Sequence, residues 1–180
     1  ASAAGSEEAA AGGGCEWSGV WAGPWGNEAA GQFRFAGLRA SDALLRGRRT
    51  YQGFASAWST MEGTGEFGKK MNSMPKYVVS STLDKVDWTG SKLIKDNVAD
   101  EVAKLKKQPG GDLLLSGSAM LFNEMMGENL IDLYRLMVHP VALGKGARLF
   151  TEDITKRALE LTDVKRFGSG IVVLEYVPAN

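Results

Sequence analysis

Several features that define common classes of protein are nearly absent from this sequence. Its 180 residues include a single cysteine, Cys15, and a single histidine, His139. One cysteine cannot form an internal disulfide bond, and the two side chains together cannot make a Cys/His zinc site, so no metal is expected. A chain of this length buries enough apolar surface to fold without such cross-links, and a reducing compartment is the simplest environment for it.

The sequence also lacks an excess of charge of either sign and lacks long apolar runs. Its 21 lysines and arginines balance 21 aspartates and glutamates, so no overall field attracts nucleic acid, and any phosphate site must be local. The longest apolar runs are 119–122 and 171–174, which are too short for a membrane span or the core of a signal peptide. We therefore expect a cytoplasmic protein that binds neither nucleic acid nor a membrane.

The first part of the chain consists of small residues and glutamate. Ala1–Gly14 contains only Ala, Ser, Gly and Glu, and no large apolar side chain there can offset by burial the entropy lost on ordering. We predict a flexible segment over 1–14 and a single domain over 15–180. Trp21 and Trp25 follow among glycines, in a predicted loop, and either stack on a planar substrate or simply cover a sheet.

Short apolar strands alternate with helical segments along the rest of the chain. Strands are predicted at 43–45, 76–81, 91–94, 113–115, 131–139, 158–167 and 171–177, and helices at 27–38, 49–57, 96–107 and 118–126. A Gly-Ser-Gly segment joins the last two strands, which indicates an antiparallel hairpin. The repeated order of strand, helix and strand predicts an α/β fold, with a mixed, mostly parallel sheet and helices on both faces.

The first of these strands ends in residues suited to bind phosphate. In such a sheet, ligands collect at the carboxyl ends of parallel strands, where helix N-termini offer free N–H groups. Gly47 permits close backbone approach, and the side chains of Arg48, Arg49 and Thr50 can hold a phosphate at the start of a helix. The alternative is an ordinary solvated turn.

Two further strand ends carry small or hydroxyl-bearing residues. Ser80, Ser81 and Thr82 place three hydroxyls at the end of the strand predicted at 76–81, where they can hydrogen-bond a phosphate or ribose, although serines at strand ends often only form turns. Gly117, Ser118 and Ala119 form a strand-to-helix turn of small residues, with Ser118 at the predicted N-cap, and this turn suits a pyrophosphate at the helix N-terminus. Neither the dinucleotide-binding GxGxxG spacing nor the phosphate-binding P-loop spacing is present.

Four segments, in their order and spacing, resemble the dihydrofolate reductase-like superfamily. They are ALLRGRRTY at 43–51, MPKYVVSSTL at 74–83, LSGSA at 115–119 and YRLMVHPVALGKG at 134–146. The chain is most similar to stand-alone relatives of the reductase domain of riboflavin biosynthesis, the RibD C-terminal type. The resemblance extends over about 17–178, and its last segment is the most specific.

This resemblance implies a three-layer α/β/α fold with an eight-stranded mixed sheet, commonly a homodimer, that binds NADPH and a small-molecule substrate. By similarity, residues 47–50 together with Ser80 and Ser81 would flank the adenosine phosphates, and Arg48 or Arg49 would select the 2′-phosphate. Residues 117–119 would line the pyrophosphate. The chemistry agrees, because a phosphate monoester suits a planar guanidinium and a pyrophosphate suits backbone N–H groups.

The sequence departs from the family pattern in two places. Family members begin with a buried apolar strand at the centre of the sheet; no such strand is evident here, and we do not expect Ala1–Gly14 to replace it. Reductases of the superfamily that act on folate use a carboxylate on the first helix, and Glu28 is the candidate for this catalytic role. The same glutamate could act only as a favourable partner of the helix dipole.

Three functions are consistent with these residues. The first is an NADPH-dependent reductase that transfers a hydride to a small heterocyclic or carbonyl-type substrate, such as a pterin or pyrimidine. The second is a non-catalytic nucleotide-binding or scaffold protein that keeps the reductase fold. The third is a pocket diverted to a flavin or an antifolate-like ligand. Trp21 or Trp25 would line the substrate pocket in the first case.

Overall fold

A computed structural model describes residues 3–7, 28–58, 65–144, 148–151, 154 and 156–179. The strands are β1 (Ala3–Glu7), β2 (Ser41–Gly47), β3 (Lys76–Val79), β4 (Ser91–Ile94), β5 (Asp112–Leu115), β6 (Leu133–Val138), β7 (Leu159–Arg166) and β8 (Val172–Pro178). The helices are α1 (Glu28–Ala40), α2 (Arg48–Trp58), α3 (Gly65–Ser73), α4 (Val98–Lys107) and α5 (Ala119–Gly127).

All eight strands form one mixed sheet, in the order β4-β3-β2-β5-β1-β6-β8-β7. The six strands from β4 to β6 in this order are parallel to their neighbours. β8 runs antiparallel to β6 and pairs with β7 as a hairpin. The predicted mixed, mostly parallel sheet with a C-terminal antiparallel hairpin is confirmed.

Helices cover both faces of the parallel part. On one face, Leu44 packs with Leu38 of α1, Tyr51 of α2 and Met71 of α3. On the other face, the neighbouring residue Leu45 packs against α4 and α5. Because successive side chains of a strand point to opposite faces, β2 is buried on both sides, which explains its continuous apolar run.

The structure corrects the expectation that the chain lacks a central first strand. Ala3–Glu7 forms β1, between β5 and β6, and Gly5 pairs with both Leu115 and Tyr134. A strand with a partner on each side satisfies its backbone groups on both edges, and small residues do this as well as large ones. The prediction of flexibility is therefore wrong for 3–7, while 8–14 lie outside the described residues.

The helix α3 is a second difference, since the sequence did not predict it. Gly65 and Gly68 lower its intrinsic helix propensity, and most of its other residues are polar. Phe67 and Met71, four residues apart, anchor it to the core beside α1 and α2, so packing overrides propensity. Among the described residues, no helix is long and apolar enough to cross a bilayer.

Candidate functional site

The three turns predicted to bind phosphate lie along one edge of the sheet. β4, β3, β2 and β5 are adjacent and parallel, so their carboxyl ends meet at the same edge. β2 is followed by the turn at 47–50, β3 by the turn at 80–82 and β5 by the turn at 116–119. We call this row of turns the carboxyl edge.

The turns after β2 and β5 contact each other directly. The backbone N–H of Gly47 donates a hydrogen bond to the carbonyl of Gly117 at 3.3 Å. A Cβ atom on Gly47 would lie 2.7 Å from Ser118 Oγ. Gly117 has a φ of +75°, and a Cβ atom there would lie 2.8 Å from Thr50 Oγ1. Packing between the two turns therefore requires both glycines, independently of any ligand.

Two helix N-termini begin at this contact. α2 starts at Arg48, directly after Gly47, and α5 starts at Ala119. Ser118 is the N-cap of α5, and its Oγ accepts a hydrogen bond from the N–H of Leu121 at 3.4 Å, which confirms the predicted cap. The first N–H groups of a helix have no partner within it and carry partial positive charge. Two adjacent N-termini favour an anion here.

The turn after β3 is tied to the same place by an arginine. Nη1 of Arg48 donates a hydrogen bond to Oγ1 of Thr82 at 2.8 Å. Buried Ser80 forms the turn itself, because its Oγ accepts from the N–H groups of Thr82 and Leu83 at 3.2 and 3.1 Å. Ser81 is exposed. The alternative of a turn-forming serine thus describes Ser80, whereas Ser81 remains open to a ligand.

The remaining predicted residues of the first turn differ in exposure. Arg49 is exposed at the carboxyl edge, and Thr50 is buried against Gly117. A depression of about 360 Å³ lies at the end of β4, lined by Leu93, Ile94, Lys95, Asp96 and Glu101. Sequence reasoning missed Lys95, although this residue directly follows a strand of the kind that identified the other turns. It placed Thr82 among the hydroxyl-bearing residues after β3 but did not predict its bond with Arg48.

No described contact brings Glu28 to this edge. Glu28 is exposed at the first residue of α1, and its Oε1 accepts a hydrogen bond from Nε2 of Gln32 at 2.9 Å. This is an ordinary surface pair one helical turn apart. Trp21 and Trp25 lie outside the described residues. The catalytic and substrate-pocket assignments of these three residues therefore stay predictions.

Comparison with known sequences identifies a family and two relatives. Residues 7–173 match the model of the RibD C-terminal domain. An uncharacterized protein of Bacillus subtilis (strain 168), YyaP, is 34% identical over 142 residues, which are 77% of this chain and 75% of that protein. A second uncharacterized protein of the same strain, YwjB, is 34% identical over 103 residues, 57% of this chain and 59% of that one.

Three solved structures illustrate the fold that the chain shares with known proteins. A candidate riboflavin biosynthesis protein from Shewanella sp. PV-4 has a TM-score of 0.77 at 19% identity, over 99% of both chains. RibD from Acinetobacter baumannii has a TM-score of 0.66 at 14% identity, over 99% of this chain and 58% of that one. Dihydrofolate reductase from Enterococcus faecalis, in complex with NADP(H), has a TM-score of 0.63 at 12% identity, over 99% and 97%. The predicted dihydrofolate reductase-like fold is confirmed.

Proposed function

Because the chain belongs to the RibD C-terminal domain family, we propose that it is an NADPH-dependent reductase. It would transfer a hydride to a small heterocyclic or carbonyl-type substrate, of the pterin or pyrimidine type. The observation that carries the proposal is the hydrogen bond from Arg48 to Thr82 beside the paired turns of Gly47 and Gly117. A guanidinium, two helix N-termini and exposed hydroxyls then share one edge.

The donors of this edge fit the anionic parts of NADPH. The N-termini of α2 and α5 suit a pyrophosphate, and the α5 turn at 117–119 would hold it. Arg48 and Arg49 would hold the 2′-phosphate, since a guanidinium offers two parallel N–H groups to a phosphate. The exposed hydroxyl of Ser81 and the depression beside Lys95 extend the site along the sheet toward the adenosine end.

When NADPH is bound, it supplies the hydride. The chain itself has to bind and orient the cofactor and the substrate and to exclude water from them. The contact between the two turns fixes the positions of both helix N-termini, so the donors are set before the cofactor arrives. Glu28 remains the candidate proton donor. The homodimer that the family resemblance implies and the cytoplasmic location expected from the composition likewise stay predictions.

A non-catalytic nucleotide-binding protein or scaffold is the second candidate. The observation in its favour is that the carboxylate of Glu28 is exposed and bonded to Gln32 on its own helix. A proton donor is normally held beside the reacting atoms and shielded from bulk water. Both candidates share the nucleotide site, so cofactor binding is the first property to measure.

The test is a thermal-shift titration of the purified protein with NADPH and with NADH. A ligand that binds only the folded state raises the melting temperature according to its affinity. We expect a larger rise with NADPH. The variant Arg48→Ala/Arg49→Ala should weaken NADPH binding by roughly 10-fold or more and NADH binding by less than about 2-fold, because each lost charge-assisted bond contributes about 1.5–3 kcal/mol.

The matched control is Arg39→Ala/Arg166→Ala. Both arginines are exposed; Arg39 lies before the start of β2, and Arg166 lies on β7 at the far side of the sheet. This variant loses the same charge and should bind both cofactors like the parent. If neither cofactor shifts a cooperative melting transition of the parent, the reductase proposal is wrong.

A further inference from the structure

The last strand of the sheet, β7, has one edge that no described strand covers. It stands at the end of the strand order and pairs with β8 alone among the described strands. All of its residues after Leu159 are exposed. A long exposed edge presents a row of backbone N–H and C=O groups that a further strand can pair with.

The hydrogen bonds at the two ends of the hairpin show which backbone groups of β7 point to this free edge. The N–H of Phe167 donates to the carbonyl of Ile171, and the N–H of Ala179 donates to the carbonyl of Ala158, at 2.9 and 3.0 Å. In an antiparallel pair, residues that bond the neighbouring strand alternate with residues that do not. Counting inward from both ends, and allowing for the bulge in the register, gives the residues whose backbone groups point outward: Leu159, Leu161, Val164 and Arg166.

The contact of Val164 agrees with this outward direction. Its N–H donates to Oδ1 of the adjacent residue, Asp163, at 2.8 Å. Such a local bond substitutes for a partner in the ladder, and an incoming carbonyl can replace it. Oδ2 of the same carboxylate lies 3.3 Å from Nζ of Lys165, so the negative charge is already partly compensated on its own strand.

The charges of β7 are separated along the strand. Glu160 and Asp163 come first, and Lys165 and Arg166 are its last two residues. In a parallel pair of identical strands, like charges would lie side by side. In an antiparallel pair, the acidic part of each strand lies beside the basic part of the other. The sequence of β7 is therefore complementary to itself in the antiparallel direction.

We propose that β7 pairs with β7 of a second copy of this chain, antiparallel, about a two-fold axis between Thr162 and Asp163. The two eight-stranded sheets then form one continuous sheet, and the symmetric contact closes on itself as a dimer. The pairing does not depend on the reductase function. The family resemblance implies a homodimer but assigns no surface to it, whereas this pairing follows from the bonds and charges of β7.

In this register, Leu161 of one copy lies opposite Val164 of the other, and Glu160 lies opposite Lys165. The backbone groups of Leu161 and Val164 point outward, so these two residues exchange N–H···O=C bonds. Glu160 and Lys165 form the pair without such bonds, in which side chains lie closer together. A shift by one residue in either direction would set Leu161 against Lys165 or against Asp163.

The two faces of the strand match in the same register. Leu161 and Val164 pair with Tyr176 and Leu174 of β8, which are two residues apart and therefore on one face. Both side chains are about half exposed in the single copy, and in the dimer each covers the other. The charged pair meets on the opposite face.

Sedimentation of the purified protein in an analytical ultracentrifuge, over a dilution series, measures the pairing. We expect a dimer that dissociates on dilution. Glu160→Lys and Lys165→Glu each place like charges opposite one another at both ends of the symmetric contact. Each should raise the dimer dissociation constant roughly 10-fold or more. An equimolar mixture of the two variants should dimerise like the parent, because both pairs of a mixed dimer again carry opposite charges.

This recovery separates a contact between copies from an effect within one copy. Residues 160 and 165 of one strand are about 16 Å apart, at roughly 3.3 Å per residue, so they do not form an ion pair with each other. Glu66→Lys on α3 makes the same change of charge at another exposed glutamate. This control should leave the dissociation constant unchanged.

The apolar pair is tested by Leu161→Ser, which should weaken dimerisation by several-fold. Its matched control is Met120→Ser in the first turn of α5, where the apolar side chain is 83% exposed; it should have no effect. Should Lys165→Glu fail to fold beside Asp163, Glu160→Lys and Leu161→Ser with their controls decide the question by themselves.

Three results would overturn the inference. The first is a parent protein that stays monomeric at every concentration. The second is a dimer that the β7 variants do not weaken, and the third is a pair of charge variants whose mixture does not recover; both would place the contact between copies elsewhere. NADPH binding is measured separately, so a failure of the reductase proposal leaves this result unaffected.

Discussion

The parallel part of the sheet and the β7–β8 hairpin differ in how deeply the side chains of their strands are buried. Leu44 and Leu45 of β2 are 0% and 1% exposed, whereas Leu161 and Val164 of β7 are 50% and 46% exposed. Strands buried on both faces can be positioned tightly, and the turns that follow them inherit that precision. The candidate function therefore lies where the buried strands end, and the hairpin borders the sheet on the far side.

The turns of the two regions differ in how many of their glycines are packed against neighbouring side chains. Gly47 and Gly117 are packed against side chains of the neighbouring turn. In the hairpin connection, a Cβ atom on Gly168 would meet nothing within 4 Å among the described residues, whereas one on Gly170, which has a φ of +87°, would lie 3.1 Å from Cγ of Pro140. The turns of the carboxyl edge are thus fixed relative to one another, as preorganised binding sites require.

Two substitutions test this difference: one glycine is replaced in each region. Of the two tests described here, this one has the larger expected effect on the free energy of unfolding. Gly117→Ala must adopt a φ of +75° and place its Cβ atom 2.8 Å from Thr50 Oγ1. We expect it to lower the free energy of unfolding by about 2 kcal/mol, measured by urea denaturation. Gly168→Ala should change it by less than about 0.5 kcal/mol. Equal losses in the two variants would mean that the turns are not held differently.

The two regions are also expected to differ, by a smaller amount, in what their lysines contribute to the pH dependence of the free energy of unfolding. Burial, and then the positive charge of Arg46, lower the pKa of Lys76 to about 8, from 10.5 when unperturbed. Between these values the unfolded chain binds more protons than the folded one, so the free energy of unfolding rises with pH from about 8 to about 10.5. The slope is at most about 1.4 kcal/mol per pH unit.

The measurement is urea denaturation at pH 7 to 10. Lys76→Met should flatten the rise between about pH 8 and 9, because the titrating group is gone; above about pH 9 the buried Arg46, whose pKa burial lowers to about 9, adds a rise of its own. The matched control is Lys165→Met on β7, whose Nζ lies 3.3 Å from Oδ2 of Asp163 in a half-exposed pair; exposed pairs contribute little to stability. That variant should keep the parental slope. A rise that persists between about pH 8 and 9 in Lys76→Met would assign the effect to another group.

Local signals in the sequence predicted much of the fold. The strand at 91–94 is β4 with the same bounds, and Ser118 caps α5 as its position before an apolar run indicates. The glycines at 168 and 170 marked the hairpin. These features depend on neighbours within a few residues, which composition and periodicity capture.

The features that the sequence did not predict depend on distant partners. The residues of β1 are small, so composition alone favoured flexibility. The strand is ordered by pairing with two strands that lie more than 100 residues away in the sequence. The bond from Arg48 to Thr82 spans 34 residues, so the sequence indicated the Thr82 hydroxyl as a candidate but not its pairing with Arg48. Arg46 is buried against Phe54 and Met71 from two helices, and nothing in its own segment signals these contacts.

Hydrogen exchange of the parent protein with and without NADPH tests the central claim most directly, namely that the carboxyl edge is the cofactor site. Bound cofactor slows exchange of the amides it covers. We predict slower exchange in peptides that contain 47–50, 80–83 and 117–121, and unchanged exchange across the hairpin at 159–178. Slowing confined to the hairpin, or absent from all three turns at a saturating NADPH concentration, would contradict the account.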